Sequence, residues 1–172
     1  MARPTLAEQA ARRALRDHWD GNLPVDERRI AAARGLTVKE VSQDSDISCC
    51  LSGNAIGVNV RHPTLRQRFA VAHALGHAIL HEGDHLDRDF RVNLRDARSP
   101  RATDSDERQA DAFAHELLIP AATLKERLRP ALVEFDVADD GDEEVASLAR
   151  AFGVSIQMVV VRLVGLGYLS LS

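Results

Sequence analysis

His73 and His77 stand four residues apart, and His81 follows at the same interval. On an α-helix that step is one turn up and about 40° around the axis, so successive rings share a face. Two of them can meet one Zn²⁺ at about 2.0–2.1 Å. The pair alone is weak evidence, because histidines at this spacing often coincide on a helix. The stretch Asp106-Glu107-Arg108-Gln109-Ala110-Asp111 strengthens it. Glu107, near the start of a second helix, is a candidate third ligand. Asp111, one turn later, suits the spare ring N–H of a ligand histidine, which it would hold in the right tautomer. Both carboxylates also suit the positive end of a helix dipole, and on residue types alone the two accounts weigh equally.

The remaining candidates are weaker. His81 continues the histidine face, but a catalytic metal needs an open position, so packing or a hydrogen bond behind a ligand is the better role. His18, His62, His85 and His115 carry no pattern. Cys49 and Cys50 are adjacent and make no disulfide framework, nor do they have a metal-binding partner cysteine. Ala74, Gly76 and Ala78 are small and would leave room around an ion on the histidine helix.

These side chains need a scaffold, and the apolar periodicity supplies one. Leu6, Ala7, Ala10, Ala14, Leu15 and Trp19 recur at helical spacing behind Pro4-Thr5, and a short helix from Val25 to Arg34 ends at Gly35. Leu36–Val41, Ile47–Leu51 and Ala55–Val60 read as three short strands separated by turn residues. The histidine helix opens at His62-Pro63-Thr64 and runs to about Glu82. Residues 84–104 read as a long polar loop, with a local strand near Phe90–Leu94. The second site helix spans about Ser105 to Ile119 before Pro120, and another follows at Ala122–Leu128. An acidic stretch from Asp136 to Glu144 then leads into a helix-turn-helix pattern around Gly153-Val154-Ser155. The expected fold class is α+β, with a small three-stranded antiparallel sheet packed on helices.

The chain has 172 residues, enough for one domain and a small appended unit. Charges of 22 Lys+Arg against 26 Asp+Glu argue against a nucleic-acid binder over the whole surface. Arg12, Arg13 and Arg16 read as a solvated helix face. No apolar run approaches the roughly 18 residues of a membrane span, and the N-terminus lacks an apolar leader pattern. A cytoplasmic protein with no membrane partner is the expectation.

The paired motifs resemble the ImmA/IrrE family of zinc metallopeptidases, whose signature runs approximately R-F-x-x-A-H-E-x-G-H-x-x-x-H, then E-x-x-A-N-x-F-A-x-x-L-L-x-P. This chain supplies Arg68, Phe69, Ala72, His73, Gly76, His77 and His81, then Glu107, Ala110, Phe113, Ala114, Leu117, Leu118 and Pro120. The resemblance covers nearly the whole chain. It implies a zincin-like domain over 1–130, a helix-turn-helix-like unit over 131–172 packed on it, and Zn²⁺ held by His73, His77 and Glu107, with Asp111 and His81 behind them. It also implies intracellular, site-specific cleavage of a helix-turn-helix transcriptional repressor, relieving repression of stress-response or mobile-element genes. In zincins an exposed edge strand pairs with extended substrate, and Ile47–Leu51 is the candidate; an ordinary sheet strand is the equal alternative.

Two positions depart from the pattern. Asp111 replaces the usual Asn and keeps a hydrogen-bonding side chain. Ala74 stands where the family has Glu. That Glu is the general base of an H-E-x-x-H helix, taking a proton from the attacking water and passing it to the leaving nitrogen. Its loss typically costs about 10²–10⁴ in rate. The chain is therefore expected to be inactive or strongly impaired, either as an engineered form, which the intact ligands favour, or as a natural pseudoenzyme. The rival function is a non-catalytic zinc-binding regulator acting through protein or DNA. Direct DNA binding is disfavoured, because the last helix, Ile156 to Gly165, has Arg162 as its one cation among valines.

Overall fold

A computed structural model of the protein describes residues 3–44, 46–81, 83–88, 105–128 and 143–169. The expected strand near Phe90–Leu94, most of the acidic stretch, and the proposed boundary at 130/131 lie outside these residues. In chain order the elements are α1 (Leu6–His18), α2 (Glu27–Ala33), β1 (Thr37–Val41), β2 (Ile47–Ser52), β3 (Ala55–Asn59), α3 (Thr64–Leu80), β4 (His85–Arg88), α4 (Ser105–Leu118), α5 (Ala121–Arg127), α6 (Glu143–Phe152) and α7 (Ile156–Gly165). The class is α+β, compatible with a zincin-like domain.

Local chemistry explains where the helices begin. Thr5 accepts from the Glu8 backbone N–H at 3.2 Å, and Glu8 returns the bond to the Thr5 N–H at 2.8 Å, a reciprocal cap for α1. Asp26 and Ser155 cap α2 and α7 in the simpler way. Pro120 follows α4 and begins α5, where its missing N–H costs nothing.

The sheet corrects the expectation of three antiparallel strands. Four strands lie in the order β1-β3-β2-β4; β2 runs antiparallel to both neighbours, but β1 runs parallel to β3. The reason lies in Asn59, which is fully buried. Its Nδ2 donates to the carbonyls of Asp44 (2.9 Å) and Ile47 (2.7 Å), and its Oδ1 accepts from the Arg61 N–H (3.1 Å). This side chain holds the chain between β1 and β2 as a crossing connection, so no hairpin forms there. Strand propensity marks segments, whereas neighbours depend on such distant ties.

β4 was expected as loop. Its first turn is anchored by Asp84, which accepts from Ser52 Oγ and the Gly53 N–H, each at 2.8 Å. Four residues carry too little alternation to announce a strand; the free edge of β2 supplies the partner. β2 is therefore an interior strand, which corrects the expectation that Ile47–Leu51 is the exposed edge.

Helix α3 is buried from Phe69 through His77, between the sheet and α4. On the sheet side, the Cys49 thiol points to the Ala70 carbonyl at 3.4 Å, away from the histidines. On the other side, Gly76 meets α4: a Cβ there would lie 3.1 Å from both Cα and O of Ala110. Gly76 thus serves close helix packing rather than room for an ion, and this approach brings Glu107 to the histidine face. α1 covers α4 with Ala7, Ala11, Ala14 and Leu15, all buried. No single helix among the described residues is long and apolar enough to cross a membrane.

Candidate metal centre

Four side chains from three elements converge. His73 and His77 come from α3, Glu107 from the first turn of α4, and His85 from β4. The Nε2 atoms of His73 and His77 are 3.0 Å apart. Glu107 Oε2 is 3.2 Å from His73 Nε2, and its Oε1 is 3.4 Å from His77 Nε2 and 2.9 Å from His85 Nε2. Ligands at about 2.0–2.1 Å from a tetrahedral ion stand about 3.3–3.4 Å from one another. The observed edges fall close to that figure.

The outer nitrogens are equally informative. His73 Nδ1 is 2.9 Å from Asp111 Oδ1, and His77 Nδ1 is 3.1 Å from His81 Nδ1. A carboxylate can only accept, so His73 carries its proton on Nδ1 and turns the Nε2 lone pair inward. Each α3 histidine is thus held from behind by a partner, as in metal-ligating histidines generally. His85 Nε2 is a buried atom without a hydrogen bond, despite its proximity to Glu107. Two facing ring nitrogens, a carboxylate and an orphaned third nitrogen form a donor set that fits a divalent cation.

Electrostatics favour the ligand forms. Burial raises the Glu107 carboxyl, but hydrogen bonds and charge from His73 and His77 outweigh it and hold it well below the carboxylate range. Burial, aided by His77, pushes His85 below the ordinary histidine range, against the pull of Glu107. A neutral imidazole and an ionised carboxylate are the states that bind metal.

Among curated proteins none matches the chain. Its sequence matches the IrrE N-terminal-like domain, peptidase family M78, over residues 28–164. The chain belongs to this family. The matched span runs from α2 to α7 and contains every side chain of the cluster, so membership and geometry point to the same metallopeptidase-like function. Other positions of the M78 domain now have structural reasons. Arg68 donates to the Val25 carbonyl at 2.6 Å and pairs with buried Glu27 at 3.1 Å, tying α3 to α2. Burial pushes the Glu27 carboxyl up, and Arg68 opposes that shift.

Sequence reasoning placed His73, His77, Glu107, Asp111 and His81, and the structure brings all five together. Ala74 is buried, 1% exposed, about 100° around the helix from His73 and about 60° from His77. His62 lies elsewhere, its Nε2 3.0 Å from the Ile47 carbonyl. His115 packs edge-on against Phe69, with ring centroids 5.5 Å apart. His85 was missed. The only sequence signal was Gly83, whose φ of 99° turns the chain back toward the site; nothing local says what the turn delivers.

Proposed function

We propose that this chain is a zinc metallopeptidase of the ImmA/IrrE type, in a catalytically impaired form, that recognises a helix-turn-helix transcriptional repressor inside the cell. The carrying observation is the convergence of His73, His77 and Glu107, with Asp111 and His81 bracing the two rings from behind. Zn²⁺ is the metal best suited to two imidazoles and a carboxylate. When bound, it supplies Lewis-acid polarisation of the scissile carbonyl and lowers the pKa of the attacking water.

The chain's own residues then divide the work. Asp111 keeps the His73 proton on Nδ1, and His81 orients His77. Position 74 would move the proton from water to the leaving nitrogen, and alanine holds no proton. Binding and polarisation persist while proton transfer is lost, so cleavage is very slow rather than absent.

Residues 131–172 form, in this reading, a helix-turn-helix-like unit on a zincin-like domain spanning 1–130. The support is a bend of 99° between α6 and α7 across Gly153-Val154-Ser155. The unit is proposed to contact protein rather than DNA. Arg162, the cation of α7, is buried and spent on Glu116, and Val159, Val160 and Leu163 are buried beside it. A cytoplasmic site of action and a role in stress-response transcription follow from the same reading.

The test is Ala74→Glu, compared with the unaltered chain at matched zinc occupancy on repressors encoded nearby. We expect cleavage to rise by about 10²–10⁴ and to vanish with a chelator. No cleavage of any such repressor would favour the second reading, a non-catalytic zinc-binding regulator, which draws on Ala74 itself. Equal cleavage by both forms would show that another residue is the base.

A further inference from the structure

The strand that delivers His85 occupies a telling place. β4 pairs antiparallel with β2, with His85 opposite Leu51 and Leu86 opposite Cys50. An extended peptide added to the β2 edge would need those same backbone groups. Asp84 pins the start of the strand to Ser52 and Gly53. The chain has thus laid its own backbone along β2, and the first side chain of that strand reaches the histidine–carboxylate cluster.

A catalytic zinc keeps three protein ligands and one open position, whereas four protein ligands make a closed, structural-type site. We propose that His85 is the fourth protein ligand of the resting metal centre, carried by a strand that stands in the place of substrate and must yield before substrate can reach the ion. This inference rests on the metal reading above. Three observations carry it: His85 Nε2 lies within 4.8 Å of the ligand atoms of His73, His77 and Glu107, it is buried without a hydrogen bond, and it reaches 2.9 Å from Glu107 Oε1.

The geometry also says how the ligand engages. The His77 and His85 rings stack with centroids 3.6 Å apart and planes 18° apart. Rings so nearly parallel cannot aim in-plane lone pairs at one point, so ligation turns His85 out of the stack. Its side chain is 25% exposed and sits on an edge strand, which leaves it room to turn. His77 is 4% exposed and held by His81 and His73, so it is the fixed member of the pair.

The first measurement uses the unaltered chain loaded with one equivalent of zinc. X-ray absorption at the zinc edge should count three imidazoles and one carboxylate oxygen; two imidazoles with two oxygens would overturn the proposal. The second uses the Co²⁺-loaded protein with azide as a probe of an open position. His85→Ala and His85→Gln should bind azide at a concentration at least tenfold lower than the unaltered chain, and should hold Co²⁺ more weakly. Equal azide midpoints and equal metal affinity in all three proteins would overturn the proposal while leaving metal binding by His73, His77 and Glu107 intact. Failure of the unaltered chain to take up any metal would overturn both readings, so the two failures are distinguishable.

Discussion

Helix α4 carries two polar clusters on opposite faces, about 180° apart around its axis. On one face Glu107 and Asp111 meet the histidines. On the other, Glu116 is 2% exposed and lies between two arginines, pairing with Arg12 at 2.8 Å and with Arg162 in a closer contact. Arg162 also donates to the Ile119 carbonyl and to Glu8, each at 3.3 Å, so α1, α4 and α7 share one network. Arg12, expected on a solvated face, is thereby drawn into it. The arginine cluster is complete as it stands, since guanidinium groups bring their own charge and their donors match the carboxylate oxygens. The histidine cluster is not: ring nitrogens face one another and one nitrogen finds no donor or acceptor. One helix thus presents a carboxylate that already has its cations and another arranged for a cation from outside.

If that contrast is right, breaking the two faces should have different consequences. The largest effects should come from removing a principal member of each. His73→Ala or Glu107→Ala should lose most bound zinc by metal analysis while the fold survives. Arg162→Ala should keep its zinc but lose about 3–5 kcal/mol in denaturant unfolding, because a buried carboxylate is left short of a partner. Equal zinc content in His73→Ala and the unaltered chain would remove the distinction, and so would zinc loss in Arg162→Ala.

A smaller effect should sharpen the view of Asp111 as a positioning residue. Asp111→Ala should weaken zinc by about 10–100-fold without abolishing binding, and Asp111→Asn should recover much of the loss, because an amide oxygen still accepts from His73 Nδ1. Unchanged affinity in Asp111→Ala would make it merely a helix-start charge.

The smallest effect concerns His115, between the two faces. Its Nδ1 is enclosed without a hydrogen-bond partner, and burial pushes its pKa from 6.5 down to about 4. Protonation therefore favours the unfolded chain. The associated stability is complete above pH 6.5 and is lost as pH falls toward about 4. His115→Gln should flatten that acid limb in unfolding measured at several pH values. An unaltered slope would mean that other groups set it.

Much of the molecule was legible because the signals are local. Helical spacing in α1, α3 and α4 marks buried faces, caps and prolines mark ends, and His73, His77 and Glu107 follow a motif whose physical sense is metal ligation. Even Ala74 is readable as a missing proton acceptor, since the chemistry assigned to that position needs a carboxylate. What required the tertiary structure is contact between segments whose own patterns are silent. β1 lies parallel to β3 because Asn59 ties down a loop more than ten residues away in sequence. His85 looks like a loop histidine until β4 finds the edge of β2. Gly76 looks like spare room until Ala110 is placed against it. Periodicity reports which face of a segment avoids water, but not which partner covers it; the identity of the partner turns a row of histidines into a four-sided site.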